Sequence, residues 1–278
     1  MSHLGLVHQF AYNGCKNITN ELVMHNYATY PSLTGKVILI TGGATGIGAV
    51  MVEAFIKQKA AVIFVDIQRD KGDALCERLA RELGAAPVFK HLDTTDIDAL
   101  QSFIASISQS HQRLDVLINN VANDTRHSPL DIDQQGWRDC MAVNLDSTFF
   151  ACQSAIRLMR ENRSGNIINM SSINVLIGPK QMPGYVAAKA ALNGLSKSLA
   201  NQYGEYGIRV NTILPGWVAT DRQLALWLTA EADKEWQKSV ALRGRLEPIH
   251  VANMALFLAA EDSAMITGQQ FVIDAGRT

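Results

Sequence analysis

Cysteine is scarce in this chain of 278 residues: Cys15, Cys76, Cys140 and Cys152 are scattered without C-x-x-C spacing. They build neither a disulfide framework nor a zinc knuckle, and their usage is what a reduced compartment tolerates. No run approaches the ~18 consecutive apolar residues needed to span a bilayer. No sign of charge predominates either, with 25 Lys and Arg against 26 Asp and Glu and a formal net charge of −1. With no Lys/Arg run to track phosphates, the chain lacks the field and the patch of a nucleic-acid binder. Repeats, low-complexity tracts and Pro/Gly linkers are also missing, so one domain is the simplest account.

Residues 1–30 stand apart. They have no basic start followed by an apolar run, which excludes a secretory signal. Two readings remain open: Met24 is the natural start and the residues before it a tail, or the segment is a disordered or partner-packed arm. The expectation is an N-terminal extension over 1–30, one catalytic domain over 31–278, and a cytoplasmic location.

From Lys36 onward, short apolar runs alternate with longer helical patterns. The strands read are Val37–Thr41, Ala61–Asp66, Val88–Leu92, Val116–Asn119, Asn166–Ser171, Arg209–Ile213 and Gln270–Ile273. Runs such as VILI and VIFV suit strands buried on both faces. Helices are expected near 46–58, 70–83, 96–110, 134–162, 183–206 and 248–260. This alternation implies right-handed crossovers and an α/β fold, a single doubly wound parallel sheet of about seven strands with helices on both faces. The segment over 221–247 interrupts the rhythm and carries Trp227 and Trp236. Insertions at the carboxyl ends of such strands commonly cover a ligand, so it is read as a lid; an ordinary surface helix pair is the alternative.

Directly after the first strand stands TGGATGIG, residues 41–48. A glycine-rich turn opening a helix lets the backbone approach a pyrophosphate, and the helix start offers unpaired N–H groups. Gly42, Thr45, Gly46, Ile47 and Gly48 are the candidates here. Glycines alone also serve any tight turn. The following acid at the end of strand two, Asp66, makes the conjunction stronger. A carboxylate there accepts from ribose hydroxyls and repels a 2′-phosphate, favouring NAD over NADP, although Arg69 stands close enough in sequence to swing in.

Tyr185 and Lys189 in YVAAK lie four residues apart, on one face of a helix. A phenol near pKa ~10 is a poor base at neutral pH, and an adjacent ammonium is expected to lower it. Three further features accompany the pair: Ser172 ending strand five, Asn144 on the long fourth helix, and Asn119-Asn120 ending strand four.

Taken together these motifs resemble the short-chain dehydrogenase/reductase family over roughly 34–275, including PGWVAT at 215–220. The resemblance implies a Rossmann-type fold and roles for its residues. Ser172 polarises the substrate oxygen, Tyr185 exchanges its proton, Lys189 also binds the nicotinamide ribose, and Asn144 anchors a relay water. Thr220 would contact the carboxamide and Asp93 the adenine. Ile67, Leu92, Asn119, Asn120, Val121, Pro215, Gly216 and Val218 complete the expected dinucleotide contacts, and no metal is expected. Where the family often reads N-N-A-G, this chain has the bulkier Val121-Ala122. A homodimer or homotetramer is implied, with Ala187, Ala188, Ala190 and Ala191 allowing close helix approach.

For the substrate, Asn123-Asp124-Thr125-Arg126-His127 is similar to the corresponding segment of D-xylose, L-arabinose and D-galactose 1-dehydrogenases. So are Tyr30–Leu33, PGWV, Gly244-Arg245, FLAA at 257–260 and IDAG at 273–276. A polyol site needs amide, carboxylate and indole groups, and Asn123, Asp124, Asn174, Gln181 and Trp217 are the candidates beside Ser172 and Tyr185. Each is equally readable as a solvated loop residue or a structural hydrogen bond, and Arg126 and His127 as an internal ion-pair group. The likeness departs at Asn174, where an aromatic residue is frequent in the sugar enzymes. The expected reaction is oxidation of an aldose at its anomeric carbon. The competing readings are reduction of a carbonyl such as a 3-oxoacyl thioester, oxidation of a steroid-type alcohol, and a dinucleotide sensor without turnover.

Overall fold

The computed structural model describes residues 28–227 and 229–278; the rest of the N-terminal extension lies outside them. Apolar, largely β-branched runs dictate its centre. Val37–Thr41 (β1) is buried at every position, and a run with no polar alternation forms a strand covered on both sides. The chain continues through Gly46–Lys57 (α1), Ala61–Asp66 (β2), Arg69–Leu83 (α2), Val88–His91 (β3), Ile97–His111 (α3) and Val116–Asn119 (β4). Gln134–Met141 (α4) runs through a π-helical turn, Ala142–Asp146, into Ser147–Glu161 (α5), followed by Gly165–Met170 (β5) and the short Asn174–Ile177 (α6). Pro183–Tyr203 (α7), Ile208–Pro215 (β6), Asp221–Leu226 (α8), Ala230–Ser239 (α9), Pro248–Ala259 (α10) and Gln270–Ile273 (β7) complete it.

All seven strands are parallel, in the order β3-β2-β1-β4-β5-β6-β7. Alternate side chains divide the core in two. Ile38, Ile40 and Phe64 pack with Met51, Phe55, Val251 and Leu256 on the α1–α10 face. Leu39, Ile63 and Leu117 pack with Leu100, Ile104, Ala155 and Met159 on the α3–α5 face. The strand order reverses between β1 and β4, and ligands of such sheets lie in the crevice outside the strand ends at that point.

The expected elements are present with shifted ends. The helix expected over 134–162 is two helices joined by the π turn, because an inserted residue there carries Asn144 inward. Ala28 and Tyr30, read as part of the extension, are pinned to the body: Gln58 Nε2 donates to Ala28 O at 3.0 Å and Tyr30 N donates to Gln58 Oε1 at 2.8 Å. Ala188 is fully buried within the chain, so of the four alanines only Ala187, Ala190 and Ala191 face outward.

Candidate active site

The glycine-rich turn is held by backbone. Gly42 N donates to Val65 O at 2.8 Å, joining the end of β1 to β2. Gly42 and Gly46 have φ of +68° and +56°, where L side chains are strained. Gly48 is required for space, since a Cβ there would stand 1.9 Å from Gly42 O. Thr45, at the N-cap of α1, makes no side-chain cap, and no acid occupies the first turn. The N–H groups of that turn are therefore left for an anion. Asp66 is buried, with Oδ2 accepting from Ala44 N at 3.0 Å and Oδ1 from Gln68 N at 2.9 Å. It splints the turn, and each oxygen keeps a second lone pair for a ribose hydroxyl. Leu92 N donates to Asp66 O at 3.0 Å. Ile67 is exposed, its carbonyl accepting from His91 Nε2, and Asp93 Oδ1 accepts from Thr95 N and Oγ1.

At the end of β4 the two asparagines divide their work. Asn120 clasps the turn, its Nδ2 donating to Gly42 O at 2.8 Å and its N to Thr41 Oγ1 at 3.0 Å. Val121 packs within contact distance of Gly42, filling the place where the family has a smaller residue. Asn119 does not line the cleft. Its Nδ2 donates to Asn169 Oδ1 at 2.8 Å, and Asn169 donates on to Ser196 Oγ, forming a buried network behind the site. Asn144 is fully buried and donates to Cys140 O and Asn123 O while accepting from Asn123 N at 2.9 Å. It thereby fixes the loop after β4. Asn123 spends its own carbonyl oxygen on Thr125, accepting from N and Oγ1.

Ser172, Tyr185 and Lys189 converge. Ser172 Oγ accepts from Asn174 N at 3.1 Å, and Lys189 Nζ lies 5.8 Å from the Tyr185 ring and donates to Met170 O at 2.8 Å; all three side chains face one cavity. Burial pushes the phenol up to about 12, opposed by the nearby Ser172 hydroxyl and reinforced by Asp124 and Cys140. Burial also draws Lys189 down to about 8. The expected lowering of the phenol by the ammonium is not met in the free protein: desolvation is the largest influence, and what lowering there is comes from Ser172.

These groups floor a cavity of about 410 Å³ at the carboxyl edge of the sheet. Ile47, Asn120, Pro215, Gly216, Val218 and Thr220 reach it from the dinucleotide candidates, and Asp124, Asn174 and Trp217 from the substrate candidates. Asn123 and Gln181 do not; Gln181 is exposed, and its carbonyl accepts from His127 N at 2.8 Å. Asp124 is drawn to the segment read as a lid, with Arg222 at 3.0 Å and Gln223 Nε2 at 2.8 Å. Gln223 in turn accepts from Trp217 Nε1 at 2.9 Å. Among the described residues, no ion pair involves Arg126 or His127. Arg126 stacks over Trp227, 4.0 Å from its centroid, and His127 accepts from Gly184 N beside Tyr185.

Sequence reasoning missed Arg222, Gln223 and Arg277 as lining residues. The first two lie within the lid segment, and Arg277 follows β7, whose carboxyl end opens on the same edge; that placement was the available signal. Among the described residues no group of three His, Cys, Asp or Glu side chains stands ready to hold a metal. No helix there is long and apolar enough to cross a membrane.

Comparison with known proteins agrees with this geometry. Residues 42–278 match the family model described as enoyl-(acyl carrier protein) reductase. The chain is 39% identical to a probable galactose dehydrogenase of Rhizobium meliloti, over 89% of this chain and 96% of that protein. It is 38% identical to a D-xylose 1-dehydrogenase of Caulobacter vibrioides, over 90% and 98%. It also superposes on the crystal structure of a 3-oxoacyl-[acyl-carrier protein] reductase from Brucella melitensis with a TM-score of 0.81 and 30% identity, covering 90% and 94% of the two chains. A glycine turn on β1, the Ser172–Tyr185–Lys189 cluster and these matches lead to one conclusion: the chain belongs to the short-chain dehydrogenase/reductase family of oxidoreductases.

Proposed function

We propose that the chain oxidises an aldose at its anomeric carbon with NAD, leaving an aldonolactone. The observation that carries this reading is the convergence of Ser172, Tyr185 and Lys189 on one cavity walled by Asn174 and Trp217. The amide matches sugar hydroxyls, and the indole matches the apolar face of a pyranose. The two dehydrogenase relatives named for galactose and xylose support the same substrate class.

Residues present fit the dinucleotide: the uncapped start of α1 suits its pyrophosphate, and the fixed Asp66 carboxylate suits an unphosphorylated ribose. When bound, the oxidised nicotinamide supplies the hydride acceptor and a positive charge near the phenol. Ser172 and Tyr185 hold the anomeric hydroxyl between them. Once its own proton has been released to solvent, Tyr185 as phenolate takes the hydroxyl proton while the C1–H bond gives up its hydride to the dinucleotide. Lys189, already donating to Met170 O, keeps further N–H groups for the ribose hydroxyls. The outward faces of α5 and α7 are assigned to a homodimer or homotetramer, to be checked by sedimentation, where a monomer sinks that assignment.

The test is a panel of aldoses and secondary alcohols with NAD or NADP, read as absorbance of the reduced nicotinamide. Turnover of an aldose with NAD is expected, lowered by about 10²–10⁴-fold in Tyr185→Phe. Reduction of a 3-oxoacyl thioester with NADPH and no reaction of any sugar would overturn the reading.

A further inference from the structure

Four cationic side chains line the cavity, Arg126, Lys189, Arg222 and Arg277, against one acid, Asp124. Two of the four are accounted for: Arg222 is paired with Asp124, and Lys189 belongs to the proton-transfer cluster. Among the described residues, Arg126 and Arg277 meet no carboxylate within ion-pair distance. Each lies instead over an indole, Arg126 on Trp227 and Arg277 on Trp236, with the second guanidinium carbon 5.1 Å from the ring centroid.

Arg277 is the better defined of the two. Its tail folds back after β7 because Asp274 accepts from Gly276 N, Thr278 N and Thr278 Oγ1, each at 2.9 Å. Trp236 beneath it is buried and meets Trp217 edge-on at 6.0 Å between centroids. Stacking on an indole face leaves the edge N–H groups of a guanidinium free, and that planar fork matches an oxyanion bidentately. A neutral sugar would leave this cation facing the cavity with no counter-charge.

We propose that the substrate is an aldose carrying an anionic group remote from C1, a carboxylate or a phosphate, and that Arg277 is the residue that selects it. The inference rests on the aldose reading above and names its substrate class. The uncapped N–H groups at the start of α1 would hold the dinucleotide's pyrophosphate, so that group already has its own donors.

The experiment compares sugars that differ only at C6: D-galactose, D-galacturonate and D-galactose 6-phosphate, and the same trio built on D-glucose. Each is given with NAD to the full chain, to Arg277→Met and to Arg277→Lys. An anionic member is expected to exceed its neutral partner in kcat/KM by about 10- to 100-fold, the range of one charge-assisted hydrogen-bonded pair. Arg277→Met should raise its KM by a similar factor, far more than it changes that of the neutral sugar, and Arg277→Lys should restore part of the loss. Preference for the uronate or for the phosphate identifies the source of the oxyanion, and either supports the proposal. Neutral sugars oxidised as well as the anionic ones, with the ratio of anionic to neutral kcat/KM the same in Arg277→Met, would overturn it and leave the aldose reading standing. No oxidation of any aldose overturns both.

Discussion

On the glycine-turn side of the cleft, contacts run through main chain and short buried side chains: Gly42 N to Val65 O, Ala44 N to Asp66, Asn120 to Thr41 and Gly42. Across from it, longer and mostly part-exposed side chains from distant parts of the sequence meet. Asp124 reaches Arg222 and Gln223, Arg126 covers Trp227, and Arg277 covers Trp236. The first side has almost no room for a different residue, because its geometry is set by backbone and by the absence of Cβ atoms. The second is built from long side chains in partial contact with water, whose individual pairs contribute little to stability and can be exchanged. A family can therefore keep one cofactor and change substrates by altering only the second side.

The widest separation of the two sides is expected from Gly48→Ala. Its Cβ would collide with Gly42 O at 1.9 Å, and both partners are backbone. A loss of about 1–3 kcal/mol in urea unfolding and abolition of NAD binding by calorimetry are expected. Wild-type stability with intact binding would show that the turn yields more than its packing allows.

Lys189 stands at the seam, and its effect is read through pH. Burial holds it at about 8 in the folded state, below the ~10.4 of an unfolded lysine. Between those values the folded chain holds fewer protons than the unfolded chain, so stability rises with pH across that window. Tyr185, pushed up to about 12, reverses the trend only above ~10, where the unfolded phenol ionises first. Unfolding free energy is expected to gain about 1–2 kcal/mol from pH 7.5 to 9.5. Lys189→Met should flatten that rise, and an unchanged slope would assign it to other groups.

Smallest in stability is Asp124→Ala, which removes a half-exposed ion pair and one amide contact. Unfolding should move by less than about 1 kcal/mol. NAD affinity should stay unchanged while KM for the sugar rises several-fold. A weakened NAD affinity would mean that the two sides are coupled and that the contrast drawn between them fails.

The same contrast governs what could be read in advance. TGGATGIG, Asp66 and YVAAK are local signals, and the strand–helix alternation around them needed only periodicity. Asn119 was legible as a residue at a strand end, yet its direction was not: only the packed sheet shows it bonded to Asn169 and Ser196 rather than facing the cleft. Gln181 failed for a related reason, being a loop residue at φ +62° whose carbonyl, not its amide, is used. The phenol's upward displacement was equally hidden, since the net of burial against neighbouring charge depends on what covers the residue.

The sequence by itself determined the parallel sheet, the glycine turn and the candidate side chains Tyr185 and Lys189, because each rests on spacing within one element or its immediate turn. The partners of Asp124, the stacking of Arg126 and Arg277, and the exclusion of Asn123 and Gln181 from the cavity were decided by tertiary structure alone. Those contacts join residues brought together only when separate loops converge at the carboxyl edge of one sheet, and no local pattern encodes which loop will face which.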